Sequence, residues 1–353
     1  MNITPDAPGP WIAFDVGGAN IKAAHESGLA RSLPFELWKR PDDLSDVLCA
    51  FSKGFPGFGR IALTMTAELC DCYATKAEGV LDVLDAVLDV SNGCPVCVWG
   101  VDRCFHSVEA IRSEPLLAAA SNWLALADVA ARLIPEGPGI LIDIGSTTTD
   151  LVPIANGLAY PEGRTDTDRL QTGELVYAGV RRTPICAIAT ELPFRGVATG
   201  LAAELFASTL DLYLILGDTP EDPTDLSTSD GHPATRDSAR ARLARMVGAD
   251  RSRFTADDAL AFARAADQVL LDRLEASARR ACARLDGPPR SAIVAGSGEA
   301  LARRLALRLV GAGPIIGLRQ AWGQVASASA CARALVTLAR ERADADLAIR
   351  GDS

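Results

Sequence analysis

ILIDIGSTTTDLVPI, residues Ile140 to Ile154, packs Asp143, Gly145, four hydroxyl residues and a second carboxylate, Asp150, into eight positions between apolar runs. An apolar run of four to eight residues bounded by turn residues reads as a buried strand, so the stretch predicts strand, polar turn, strand. A similar stretch, WIAFDVGGANIKAA, begins at Trp11, and its Asp15 precedes Asp143 by 128 residues. Each copy opens with an apolar strand, continues through Asp-x-Gly into a polar strand, and ends in strands and helices. The spacing is that of an internal duplication.

The chain has 353 residues, which exceeds a usual single core, so two domains are expected. The first would span residues 1–136, with 321–353 packing back onto it, and the second 137–320. The fold class expected is α/β, with a mixed sheet flanked by helices in each domain and a cleft between them. Helices are expected at 41–53, 116–133, 197–216, 234–247, 255–285 and 327–342. The polar stretch GDTPEDPTDLSTSDGHPATRD, from Gly217, reads as a mobile loop or a site rim.

Composition narrows the function classes. A formal net charge of −10 repels phosphate backbones, which argues against broad nucleic-acid binding. MNITPDAPGPW has neither a basic n-region nor an apolar h-region, and no apolar run reaches membrane-spanning length. The chain therefore reads as cytoplasmic, and its nine cysteines as reduced and mostly buried. Cys70, Cys72, Cys94 and Cys97 form two close pairs, but not at a standard zinc spacing.

The turns themselves point to an anion. Gly17 and Gly18 allow close backbone approach, so that successive N–H groups converge on a phosphate, with Asn20 and Lys22 projecting from the next strand. In the second copy Gly145 plays the glycine role, and Ser146, Thr147, Thr148 and Thr149 add hydroxyl donors. Asp15, Asp143 and Asp150 suit Mg²⁺ better than phosphate. SAIVAGSGEALA places Gly296, Ser297 and Gly298 between a strand and a helix, a usual geometry for a diphosphate contact. Alone, each is also what a decorated turn looks like.

Together the three elements resemble the phosphate-1, phosphate-2 and adenosine motifs of the actin/sugar-kinase/Hsp70 superfamily, with a two-domain ribonuclease H-like fold. DVGGAN and DIGSTTTD look most like its hydantoinase/oxoprolinase branch. TMTAELCDCYATKAEGV, SNWLALA, GRTDTDRLQTGELVYAGVRRTPICAIA and DGHPATRDSARARLARMVGAD resemble one group of that branch. This is the tetrahydromethanopterin-linked C1-transfer group, similar to an archaeal enzyme of methanofuran biosynthesis. The resemblance implies a transferase that joins an aminomethylfuran-methyl diphosphate to a phenolic acceptor, of γ-glutamyltyramine or tyrosine type, with diphosphate leaving. The cofactor implied is Mg²⁺, organised by Asp15 and Asp143. The partners implied are these two small molecules, with a homodimer allowed and no nucleic acid or membrane.

That chemistry asks for particular groups. Lys22 would neutralise charge. A phenol near pKa 10 calls for a general base, for which Glu68 stands where a loop follows a strand; a solvated loop carboxylate is the plainer reading. Lys76, at a helix start where a cation is disfavoured, is a candidate for a substrate carboxylate or phosphate. Glu174, Arg181 and Arg182 lie in a largely apolar frame, where an inward arginine could fork onto a diphosphate. Glu204, Ser208 and Asp211 fall at i, i+4, i+7 of the expected 197–216 helix, facing either solvent or a substrate amine or metal. His25, His106 and His232 have no metal spacing. The runner-up is an ATP-dependent small-molecule kinase, followed by a nucleotide-gated scaffold and, last, hydantoin or oxoproline hydrolysis.

Overall fold

The computed structural model describes residues 9–323 and 329–351, with side chains to residue 348. The reading of the N-terminal leader and the expected start of the last helix at Ser327 fall wholly or partly outside the described residues. The chain forms two units: Met1–Glu136 with Ile154–Arg169 and Leu318–Ser353, and Gly137–Pro153 with Leu170–Gly317. The expectation had placed 154–169 in the second.

In the first unit the strands are β1 (Trp11–Val16), β2 (Asn20–His25), β3 (Ala30–Pro34), β4 (Arg60–Met65), β5 (Val96–Trp99) and β6 (Phe105–His106), in the order β3-β2-β1-β4-β5-β6. The β1–β2–β3 meander is antiparallel, whereas β4 and β5 follow β1 in parallel. β1 is buried along its whole length, as a central strand covered on both faces must be. Its residues alternate between two cores. Ile12, Phe14 and Val16 pack with Leu44 and Leu48 of α1 (Leu44–Ser52) and Val80, Leu84 and Val87 of α2 (Lys76–Val90). Trp11 and Ala13 face the other way, against Leu335, Val336 and Ala339 of the last helix, Ala330–Gly351. Ala13, Ala24 and Ala62 keep that face of the sheet shallow, so the helix lies close to it.

Up to Glu136 this unit has two further α-helices, α3 (Val108–Ser113) and α4 (Asn122–Ala130). The single helix expected over 116–133 is instead a 3-10 turn at Pro115–Ala118, a break, then α4. Ala120 carries the break at φ 50°, in the left-handed region.

The second unit repeats the plan. β7 (Pro138–Ile144), β8 (Thr149–Ala155), β10 (Leu175–Val176), β13 (Ser291–Ala295) and β14 (Ile315–Gly317) run in the order β10-β8-β7-β13-β14, with the short β9 (Leu158–Ala159) pairing with the far end of β8. β13 and β14 are parallel to β7, as β4 and β5 are to β1. Ile140, Ile142 and Ile144 pack with Phe262, Leu270 and Leu274 of α8 (Ala256–Ala281) and Leu301 and Leu305 of α9 (Glu299–Val310). A hairpin, β11 (Glu191–Phe194) and β12 (Val197–Gly200), occupies the start of the expected 197–216 helix; α6 covers only Thr209–Leu216. The other helices are α5 (Asp166–Thr172), α7 (Arg236–Met246), α10 (Leu318–Trp322) and, last, α11 (Ala330–Gly351). Two mixed sheets, each built on a strand hairpin with two parallel strands beside it and flanked by helices, make the duplicated two-domain α/β plan that the sequence predicts.

Candidate active site

In the first unit the expected site residues Asp15 and Glu68 stand at the carboxyl ends of β1 and β4. Asp15 and Lys22 are register partners across the β1–β2 hairpin, with Nζ 3.8 Å from the carboxylate. The Asn122 amide donates to the other Asp15 oxygen at 3.2 Å. Burial raises the Asp15 pKa, and Lys22 and Asn122 oppose it. The turn is tight: Gly17 N–H donates to Asn20 O at 3.0 Å. A Cβ at Gly18 would sit 2.5 Å from Cys70 Sγ.

Glu68 sits in a 3-10 turn, Ala67–Leu69, just past β4, and is 1% exposed. The reading of a solvated loop carboxylate is overturned. Both carboxylate oxygens are buried without a hydrogen-bond partner. Burial pushes the group up to about 7, and the nearby backbone N–H groups of Glu68 and Ala120 and the charge on Lys76 offset it only in part. The chain wraps this carboxyl by local means. Thr75 caps α2 by accepting from Glu78 N–H, which starts the helix one residue before Lys76. Gly79 lies against the Glu68 backbone, where a Cβ would be 2.7 Å from Glu68 Cα. The break at Ala120 turns Ser121 inward to share a hydrogen bond with Thr64, 2.9 Å, and donate to Trp99 O. Lys76 pairs with Asp166 at 3.0 Å, which answers the cation at a helix N-terminus.

In the second unit three separate stretches converge. Gly145 N–H donates to Thr148 O at 2.9 Å, closing the β7–β8 turn. Residues 178–182 lie on that turn: Val180 N–H donates to Gly145 O, and the Arg181 and Arg182 N–H groups donate to Ser146 O. A Cβ at Gly179 would meet Gly145, Ser146 and Thr147 backbone atoms at 2.5 Å, so only glycine lets the strands touch. Gly296, at φ 87°, packs on Ile144 O and Asp143 Oδ1, and Gly298 N–H donates to Ile144 O at 2.8 Å. Asp143 and Asp150 alternate out of phase with the core residues Ile144 and Leu151, which puts both on the opposite face. Thr149 is withdrawn from the turn, its hydroxyl donating to Ala178 O at 2.7 Å.

Several other expected residues have different surroundings. Arg181 is held by Asp225 at 2.7 and 2.9 Å and by Ser227 O, so it is committed to the polar 217–237 stretch and not turned inward. That stretch is itself pinned, by Arg181 and by Arg242 and Arg245 on Asp230. Arg182 is exposed. Glu174 is buried within electrostatic reach of Cys282, at the end of α8. Glu204 and Asp211 share no helix stripe. Glu204 is exposed in a loop, whereas Asp211 closes a capping box with Ser208 and pairs with the fully buried Arg242 at 2.7 Å. Burial still raises the Asp211 pKa to about 6 against that arginine. Ser146 and Thr147 remain at the turn, their hydroxyls 3.4 Å apart.

Among the described residues no three His, Cys, Asp or Glu side chains gather as a metal cage, and no helix is long and apolar enough to cross a membrane. The nine cysteines are free thiols. Sequence reasoning missed Asn122 and Asp166. Their partners lie 107 and 90 residues away, so no local pattern announces them.

A glycine turn at the carboxyl end of the first strand of each of two similar mixed sheets defines the class, a two-domain actin-like fold. Within it the chain belongs to the hydantoinase/oxoprolinase family, whose model matches residues 60–340. It is 39% identical over 264 residues to the (4-{4-[2-(γ-L-glutamylamino)ethyl]phenoxymethyl}furan-2-yl)methanamine synthase of Methanocaldococcus jannaschii, covering 74% of this chain and 78% of that one. The synthase of the same name from Methanococcus vannielii is 35% identical over 133 residues, 38% of this chain and 60% of that one. Among solved structures, the PilM–PilN type IV pilus biogenesis complex is similar at a TM-score of 0.46 and 11% identity, over 94% of this chain and 98% of that one.

Proposed function

We propose that the chain is a transferase of methanofuran biosynthesis, which forms an aryl ether between a furanylmethyl carbon and a phenol. The relatives' name describes such a product, a phenoxymethyl bridge to a furan bearing methanamine. In the reaction proposed here, the bond from the furanylmethyl carbon to a diphosphate oxygen breaks and one to the phenol oxygen forms. The phenol proton passes to Glu68. The observation that carries this reading is Glu68 itself: a carboxyl held near neutrality with both oxygens unpartnered is poised to take a proton at physiological pH.

The other roles follow from the donors each unit offers. In the second unit the Ser146 and Thr147 hydroxyls at the turn support the departing diphosphate, on a backbone that the Gly145 and Gly298 N–H bonds to Thr148 O and Ile144 O hold in place, so that little reorganisation is needed as charge develops. Lys22 adds a cation in the first unit. Lys76 stands beside Glu68 as a partner for an anionic group of the acceptor.

Mg²⁺ is a hard cation that takes one or two carboxylates and keeps several of its waters, and carboxylates are the donors that the two turns offer. Asp15, Asp143 and Asp150 would hold it. When bound, the ion would neutralise charge on the diphosphate oxygens.

The test is a pyrophosphate-release assay. Protein, Mg²⁺, the aminomethylfuran diphosphate and a tyramine- or tyrosine-type phenol are mixed without ATP. Acceptor-dependent pyrophosphate and an aryl ether by mass are expected. ADP formation on adding ATP, with no ether, would establish the kinase instead.

A further inference from the structure

We propose that Asp166 is a positioning residue, which holds the Lys76 ammonium on the side of α2 that packs against Glu68, so that the pair governs how readily Glu68 accepts a proton. This rests on the reading of Glu68 as the base. Lys76 and Gly79 are three apart in the first turn of α2 and share a face. That face is the one seated on Glu68, since a Cβ at Gly79 would lie 2.7 Å from Glu68 Cα and 2.8 Å from its carbonyl oxygen. Lys76 is therefore aimed along the Glu68 side of the helix, and its 3.0 Å bond to Asp166 Oδ2 fixes where its charge sits.

The other neighbours of Glu68 bring little charge. The Ala118–Ser121 segment presents backbone and the Ser121 hydroxyl, which is occupied by Thr64 and Trp99. Tyr73, which also contacts Gly79, donates its hydroxyl to Asp82. The two charged side chains that act on Glu68 are thus Lys76, which favours its ionised form, and Asp166, which disfavours it. Asp166 is 90 residues from Lys76 in sequence and enters from a different helix, so the pair is a tertiary construction, not a local helix contact. The two side chains thus act on Glu68 in opposite directions.

The experiment follows the Glu68 carboxyl itself. Protein labelled with ¹³C at glutamate side-chain carboxyls is titrated by NMR, the Glu68 signal being the one absent from Glu68→Gln. Asp166→Asn is expected to lower the Glu68 midpoint by about half a unit or more, and Lys76→Gln to raise it by a similar amount. The acid limb of the kcat/KM profile should move with it. The Lys76→Gln/Asp166→Asn double variant should return close to wild type. An unchanged midpoint in both single variants would overturn the inference, because a merely structural pair would lower activity without moving the titration. Should Asp166→Asn fail to fold, as judged by circular dichroism, Lys76→Gln alone decides in the same way. If the midpoints move but Glu68→Gln retains full turnover, the base reading fails while the charge coupling stands.

Discussion

Asp15, Gly17, Asn20 and Lys22 in the β1–β2 hairpin stand 128 residues before Asp143, Gly145, Thr148 and Asp150 in the β7–β8 hairpin. Both turns close with the same glycine N–H bond to the carbonyl three residues on. The fourth member differs: a lysine faces the first aspartate, and a second carboxylate takes its place in the other copy. The first unit has put its chemistry into side chains, with Lys22 on Asp15 and a buried Glu68 nearby in sequence to β4. The second has put it into backbone, with residues 178–182 and the glycines at 296 and 298 pressed against one turn. The same frame occurs twice, and under the proposed function one copy would handle the proton and the other would hold the diphosphate and its cation.

The largest effect should come from the side-chain half. Glu68→Gln is expected to lower kcat/KM by on the order of 10²–10⁴. It should also stabilise the fold at pH 8. The folded pKa is raised, so ionisation costs stability as pH climbs from the ordinary 4.5 to about 7, and glutamine removes that cost, on the order of 3 kcal/mol. Thermal unfolding at pH 5 and pH 8 checks the sign; equal shifts at both would contradict it.

Next comes the backbone half. Gly296→Ala must place a Cβ 2.2 Å from Ile144 O at φ 87°, and should cost about 2–4 kcal/mol with a loss of diphosphate affinity. Gly17→Ala, in the β1–β2 turn of the first unit, meets only contacts of 3.1 and 3.3 Å and should cost under about 1 kcal/mol. Similar melting temperatures for the two would break the contrast. Between these in size, Asp150→Asn should raise the Mg²⁺ concentration for half-maximal activity roughly tenfold, by loss of one carboxylate. Lys22→Gln should leave that requirement within about twofold, since a lysine is no metal ligand.

The fold was legible where period and glycine speak locally. The apolar runs at Trp11 and Ile140, the Asp-x-Gly turns, and Gly296 between strand and helix all stand where the sequence places them. Ser208-x-x-Asp211 was also readable as a helix start, yet the apolar run around it reads as one long helix and hides the hairpin before it. The break at Ala120 has no such sign, because alanine is not a residue that favours positive φ; tertiary packing imposes it. Glu68 was visible as a candidate, but its burial was not, since that depends on α2 and the 118–121 segment closing over it.

The last helix has a consequence for synthesis. Trp11, Ala13, Ala24 and Ala62 share a core with Ala332, Leu335, Val336 and Ala339, so β1 waits for the helix Ala330–Gly351 to be covered. From Phe105, near the end of that sheet, to Ala332 is a delay of roughly 10–45 s on the ribosome. The second unit, whose sheet and helices end at Gly317, emerges whole before then. The half of the protein that starts later can therefore finish first.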